Sequence, residues 1–187
     1  MGVDNMKEIE IPNTVKKIQM RAFAECYGLE SVKLSSGLTK IDPWVFRDCK
    51  ALKSIRIPGN VTVIDEMAFM GCTSLTSVEF SEGVKEIGKS AFRDCKALRD
   101  VKFPASLTTI DSWAFTECAF TSITIPRTVK ELKDFAFENC MKLAHVTIGV
   151  EYNDFNALGL IFSFDRRGYK LFDEKDIYNL KNFTFVE

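Results

Sequence analysis

The sequence predicts a solenoid of right-handed coils of about 23 residues, with a parallel β-sheet on the concave face and short turns elsewhere. Three series of residues predict it. Phenylalanine returns at steps of 23, 23, 23, 23 and 22 residues, at Phe23, Phe46, Phe69, Phe92, Phe115 and Phe137. Cysteine follows at the same steps, at Cys26, Cys49, Cys72, Cys95, Cys118 and Cys140. The aliphatic positions between them keep the same rhythm.

Each repeat contains three short segments. The first has the alternating pattern V-x-[LIF], for example Ile55 and Ile57, and β-branched alternation predicts a strand. Proline follows three of these segments, at Pro58, Pro104 and Pro126, and ends them because it cannot donate a ladder hydrogen bond. The second segment, V-x-x-I, predicts a short extended or turn piece. The third, A-F-x-x-C, predicts a tight helical turn.

Stacking explains why the repeat is so regular. A single coil of this length cannot bury its own apolar face, so it buries that face against the next coil. Equivalent side chains then lie about 4.8 Å apart, one strand spacing. The fifth copy is one residue short after Cys118, where CAF replaces the C-x-x-L of the other copies and Phe120 takes the leucine position.

The copies, for example IPGNVTVIDEMAFMGCTSLTSVEF at Ile57–Phe80, closely resemble the BspA-like leucine-rich repeat family, the bacterial and protist surface-protein type. The resemblance covers about Ile9 to Ile148. It implies a leucine-rich repeat solenoid with an extended binding surface, often used in adhesion or host contact, and it carries over no catalytic residues. It also implies a cell-surface or secreted protein, although the first residues, MGVDNMKEIEIP, show no apolar signal-peptide core.

Composition argues against several function classes. Lys and Arg number 25 and Asp and Glu number 26, so the net charge of -1 provides no attraction to nucleic acid. No apolar run approaches the roughly 20 residues of a membrane span, so we expect no membrane insertion. There is one histidine and no motif of paired carboxylates, so we expect neither an enzyme nor a cofactor.

The stretch GVKEIGKS at Gly83–Ser90 fits the phosphate-binding pattern G-x-x-x-x-G-K-[ST]. A phosphate loop must open a long helix, with its amides free to surround the phosphates. Here Val84 and Ile87 occupy repeat columns, and the following AFRDC is the repeat's turn. The repeat therefore accounts for the match, and we expect no nucleotide site.

The cysteine column has two interpretations. Neighbouring Cα atoms about 5 Å apart are within disulfide reach. Their Cβ vectors, however, run parallel along the stack, and a straight row cannot surround a tetrahedral zinc. We therefore predict free, buried thiols that act as small apolar filler.

The outward positions of the predicted strands are the first candidate partner-binding surface. Two columns contribute to it, and the candidate residues are Lys33, Arg56, Glu79, Asp100, Lys102 and His145. One interpretation is a mixed-charge groove for a protein or carbohydrate partner. The other is a solvated face with cross-strand pairs of Arg56 with Glu79 and of Glu79 with Lys102. His145 alone predicts no metal site.

A second candidate surface is an apolar ridge at the position before A-F. Its members are Trp44, Met67, Trp113 and Phe135. They either pack against the neighbouring turns or mediate partner contact or self-association.

The domain prediction divides the chain at residue 148. Residues 1–148 form the repeat array, and residues 149–187 form a degenerate last repeat whose insertion acts as a C-terminal cap. Leu180, Phe183 and Phe185 restore the strand pattern, and Ile161–Phe172 predicts two short strands around a turn. Two functions remain open: a binding module, or a structural spacer within a longer surface protein.

Overall fold

The computed structural model describes residues 6–148 and the strand Asn182–Phe185. That part of the chain contains strands and turns and no helix. Its strands are β1 (Glu8–Glu10), β2 (Ser31–Lys33), β3 (Lys40–Ile41), β4 (Ser54–Ile57), β5 (Val63–Ile64), β6 (Ser77–Phe80), β7 (Glu86–Ile87), β8 (Asp100–Lys102), β9 (Thr109–Ile110), β10 (Ser122–Ile125), β11 (Glu131–Leu132), β12 (His145–Ile148) and β13 (Asn182–Phe185).

The V-x-[LIF] segments form the predicted parallel strands. They pair in three groups, β1-β2, β4-β6-β8 and β10-β12-β13. The register follows the repeat, since Ile55 lies opposite Val78 and Ile57 opposite Phe80. The prediction of a leucine-rich repeat solenoid with coils about 23 residues apart and a parallel sheet is therefore confirmed.

The V-x-x-I segments form a second parallel sheet. It contains two-residue strands in the order β11-β9-β7-β5-β3, and Ile64 pairs with Ile41 and Ile87. This sheet runs without interruption through five coils. The apolar columns of both sheets and of the turns are buried in one core.

The phenylalanine column forms a ladder of parallel rings through that core. Successive centroids lie 5.1 to 5.5 Å apart with interplanar angles of 3° to 11°, from Phe23 to Phe137. Phe80 and Phe103 add edge contacts to the rings of Phe92 and Phe115. Offset stacks and edge contacts are the arrangements that the ring quadrupole favours. Each ladder ring therefore packs against the rings of the neighbouring coils and also fills the interior of its own coil.

The prediction of a helical turn at A-F-x-x-C is wrong. The turn contains two residues with positive φ, such as Trp44 at 57° and Asp48 at 57°, and this pair recurs in every described coil. Successive backbone amides of the turn donate alternately to the next coil and to their own coil. The Phe46 N–H donates to Ala68 O of the next coil at 2.8 Å, and the Arg47 N–H donates to Trp44 O at 3.2 Å. A helix would keep these donors within one coil, whereas the left-handed residues turn every second amide toward the neighbour.

The prediction of free, buried cysteines is confirmed. Each thiol from the second coil onward donates to the carbonyl oxygen of a ladder phenylalanine one coil earlier, as Cys72 Sγ does to Phe46 O at 3.2 Å. Burial raises the pKa of the Cys49 thiol from 9.0 to about 12. Burial also raises the pKa values of Cys72, Cys95 and Cys118. These thiols are therefore neutral at physiological pH.

Strand β13 extends the strand array beyond the regular repeats. It pairs in parallel with β12, with Phe183 opposite Val146 and Phe185 opposite Ile148. This is the register that the L-x-x-[VIF]-x-F pattern predicts. Residues 149–181, including the predicted strands within Ile161–Phe172, lie outside the described residues, and the C-terminal cap stays a prediction.

Candidate functional site

The outward face of β4, β6 and β8 carries a shallow groove of about 770 Å³. Side chains alternate along these strands, so the residues between the core positions point to solvent. The groove brings together four of the predicted site residues, Arg56, Glu79, Asp100 and Lys102. Ser54 and Ser77 form part of its floor, and their small side chains leave it open.

Two ion pairs connect strands on this face. The Lys33 ammonium lies 2.7 Å from Glu10, and the Arg56 guanidinium lies 3.5 Å from Glu79. All four side chains are exposed, and such pairs contribute only about 0 to 1 kcal/mol. The predicted pair of Glu79 with Lys102 does not form, because the Glu79 carboxylate turns to Arg56 on the other neighbouring strand.

Asp100 and Lys102 differ from the rest of the face. Both are exposed and line the groove, and neither makes an ion pair with any residue that the structure describes. Lys33 lies on β2 and His145 on β12, so these two predicted site residues are outside the groove. The unpaired charges are thus concentrated at one end of the groove, on β8.

The sheet is broken beside β8. Strands β8 and β10 belong to consecutive coils but do not pair. Strands β8 and β10 lie in different sheets, whereas the flanking residues of the two coils are bonded, Ala119 N to Leu98 O and Lys130 N to Thr108 O, each at 2.8 Å. A cleft of about 500 Å³ lies at the break, and its lining includes Glu82, Val101, Lys102, Phe103, Thr124 and Pro126.

The shortened fifth copy coincides with this break, although β2 and β4, which are a full repeat apart, also do not pair. In the fourth coil the Leu98 N–H closes a turn on Cys95 O at 2.8 Å before the strand begins. The fifth coil lacks one residue here, and Ala119 N instead donates across to Leu98 O. Phe120 still reaches the core, 5.8 Å from the Phe115 ring. The missing residue therefore shifts the start of β10 rather than the core.

Sequence reasoning missed the break, although the 22-residue step was visible. Val101 lies at the repeat position of Ile55 and Val78, both of which are buried. It is only half-buried, because its strand has no neighbour on the side of β10. A step that departs from the repeat period is the signal that could have located the cleft.

The apolar ridge consists of two separate pairs. Trp44 Nε1 lies 2.9 Å from Met67 Sδ, and the Arg21 guanidinium lies 5.1 Å from the Trp44 ring centroid. Trp113 stacks on Phe135, with centroids 5.7 Å apart and an interplanar angle of 16°. All four ridge side chains are half-buried, and the buried Ser90 separates the two pairs.

The backbone amides of Gly88 and Ser90, within the stretch that matches a phosphate loop, already donate hydrogen bonds to neighbouring coils. Gly88 N donates to Ile64 O at 2.7 Å, and Ser90 N donates to Ser112 O at 3.0 Å. In the described part of the chain, no three His, Cys, Asp or Glu side chains are grouped to hold a metal ion. A search of those same residues finds no helix with the length and apolar character of a membrane span.

The family profile named BspA type Leucine rich repeat region matches residues 1–118 and 64–159, with six copies. The chain belongs to the BspA-type leucine-rich repeat family. Among solved structures, this BspA-type chain is similar to a leucine rich cell surface protein of Faecalibacterium prausnitzii, with 36% identity and a TM-score of 0.72. It is also similar to the leucine rich repeat protein of T. pallidum, with 30% identity and a TM-score of 0.73.

These matches cover 78% and 76% of this BspA-type chain. A leucine-rich repeat protein of Bacteroides ovatus has 31% identity and a TM-score of 0.59 over 74% of the chain. The chain spans 39% of the F. prausnitzii protein, 33% of the B. ovatus protein and 72% of the T. pallidum protein. A search of curated proteins gives no match.

Proposed function

We propose that this BspA-type chain is a non-enzymatic binding module of a cell-surface protein, and that its strand face contacts a protein or carbohydrate partner. The groove over β4, β6 and β8 carries the proposal. It has the volume of a binding site, within the range of roughly 300–1,000 Å³, and its lining mixes charged side chains with small serines. Solenoids commonly present such a surface to partners.

The distribution of charge supports contact at the β8 end. Asp100 and Lys102 have no ion-pair partner in the described protein, so a ligand need not displace an existing pair to reach them. Arg56 and Glu79 are held only by an exposed pair. Such a pair is weak enough to exchange for contacts with a partner.

The setting is proposed from the relatives. The F. prausnitzii protein is a cell surface protein, and the family resemblance points the same way. An extended, rigid face with free charges is suited to contact with an external protein or glycan.

A binding screen with matched charge variants tests this function. The purified chain is screened against a glycan array and a panel of extracellular proteins, together with the double variant Arg56→Glu/Lys102→Glu. We expect at least one partner whose affinity falls about 10-fold or more in the double variant, since two charges of the groove are reversed. Lys130→Glu, an exposed change next to the second sheet, is the control that retains affinity.

The alternative function is a structural spacer, which the exposed cross-strand pairs on the strand face favour. A spacer has no ligand of its own. No binding across both screens, or binding that the groove variants leave unchanged, would contradict the proposed function and favour the spacer.

Self-association through the ridge of Trp44, Met67, Trp113 and Phe135 is a separate prediction. We expect a dimer that becomes a monomer when Trp44→Ala and Trp113→Ala are combined, since both aromatic pairs lose their larger member. Size-exclusion chromatography with light scattering measures the mass directly. If the wild-type chain is already a monomer, the ridge acts in packing between turns instead.

A further inference from the structure

The break between β8 and β10 leaves two strand edges open toward one cleft. Asp100 N donates to Thr76 O, so the backbone groups of β8 that face away from β6 are those of Val101 and Phe103. His145 N donates to Thr121 O, so the groups of β10 that face away from β12 are those of Ser122 and Thr124. All four of these residues line the cleft.

Open edges of this kind have a definite chemistry. Each presents a row of N–H and C=O groups that hydrogen bond readily to an added strand. Elsewhere on this face β6 and β12 use both edges in pairing with neighbours, whereas β2 and β4 also do not pair with each other. The cleft also contains half-buried apolar surface at Val101, which a strand with alternating side chains would cover.

The charges of the cleft favour an acidic segment. The Glu82 carboxylate lines the cleft but already accepts hydrogen bonds from Ala105 N and Ser106 N, both at 3.2 Å, and Asp100 lines the groove rather than the cleft. The Lys102 ammonium has no ion-pair partner in the described chain and lines both the groove and the cleft. A carboxylate of a bound segment would be its natural counter-ion.

We propose that the break between β8 and β10 binds an extended peptide segment of a partner protein, which adds to the open strand edges and places an acidic side chain beside Lys102. The inference rests on the proposed function and specifies its partner as a protein rather than a glycan. Recognition is by strand addition: main-chain hydrogen bonds supply affinity, and alternate side chains supply selectivity.

The first test is amide hydrogen exchange of the free chain, measured by NMR. We expect the amides of Val101, Phe103, Ser122 and Thr124 to exchange at least about 100-fold faster than those of β6, because β8 and β10 do not pair on the sides where these amides point. Protection equal to that of β6 would mean that the sheet is closed in solution, which would overturn the inference.

The second test uses the peptide acetyl-TSVEFSE-amide, the sequence of Thr76–Glu82. In the fold this segment contains β6, which pairs with the other edge of β8 and has Glu79 opposite Lys102. We expect a Kd below about 1 mM and new protection of the four cleft amides. Lys102→Ala is expected to weaken binding about 3-fold, as an exposed pair allows.

Two N-methylated versions of the peptide are the matched controls, each with methyl groups on one alternating set of amides. A strand that pairs with a single edge loses about 10-fold or more in affinity with one set, and a strand that pairs with both edges loses it with both. Equal affinity for all three peptides, or no binding near 1 mM, would overturn strand addition. The comparison of the three peptides uses the unaltered protein.

A single-residue insertion after Ala119 gives the final control, since it restores the C-x-x-L spacing of the other copies. We expect it to close the sheet and abolish peptide binding. If peptide binding and the fast exchange of the four cleft amides both persist in the insertion variant, the inference is wrong. A glycan or protein that binds through Arg56 and Lys102 regardless of the insertion would leave the proposed function standing and refute only the peptide site.

Discussion

Replacing Phe92 with alanine is expected to lower the free energy of unfolding by about 3–5 kcal/mol. The ring is completely buried and stacks between Phe69 and Phe115, at centroid distances of 5.1 and 5.3 Å. Phe80 adds an edge contact at 6.0 Å. Truncation therefore removes a large apolar surface and leaves a cavity that the two neighbouring coils cannot fill without moving closer.

The matched control is Phe23→Ala at the beginning of the ladder. Phe23 is half-buried and stacks on one ladder ring, Phe46, so its removal is expected to cost about half as much or less. Urea unfolding, followed by circular dichroism, measures both variants. Equal losses in the two variants would show that the ring ladder does not stabilise the middle of the solenoid more than its end.

Raising the pH from 8 to 10 is expected to remove about 5–6 kcal/mol of stability, because the four buried thiols with raised pKa values resist ionisation only in the folded chain. In the folded chain, burial raises the pKa of Cys49 from 9.0 to about 12, and burial also raises the pKa values of Cys72, Cys95 and Cys118. In the unfolded chain these thiols ionise near pH 9. Their stabilising effect is therefore complete below pH 9 and is lost as the pH rises toward the folded pKa, by about 1.4 kcal/mol per thiol at pH 10.

Urea unfolding at pH 8, 9 and 10 measures this loss, and Cys72→Ala is the control. The variant has one buried thiol fewer, so the difference between pH 8 and pH 10 is expected to shrink by about 1.4 kcal/mol. Its stability at pH 8 also falls because a small cavity is created, but that cost does not depend on pH. An unchanged pH dependence in the variant would contradict the assignment to the thiols.

The buried apolar positions and the strand register were predictable, because burial and strand pairing favour particular residue types. Ile55, Val78 and their equivalents fall into one register because each coil repeats the same side chains at the same step. The turn was not predictable in this way. Trp44 and Asp48 adopt positive φ, which favours glycine or asparagine in isolation, and tertiary contacts with the next coil impose it here.

The candidate site was predictable in part. The strand positions of Arg56, Glu79 and Lys102 followed from the repeat, and the groove contains all three. The choice between two ion pairs did not follow, because Glu79 has a cation on the strand at either side and the repeat spacing is the same to both. The effect of the missing residue on β8 and β10 depends on which backbone segment of the coil changes conformation to absorb the deletion. The spacing alone does not reveal that segment.

The alternation of turn amides bears on how such a protein changes length during evolution. Up to three hydrogen-bonded systems join a coil to the next: the two sets of parallel strands, and the turn bonds such as Phe46 N to Ala68 O. Duplication of one whole repeat leaves each system in register, because the new coil offers the same donors and acceptors as its neighbour. A shorter insertion or deletion forces at least one system out of register. Growth by whole units is therefore the route that conserves stability.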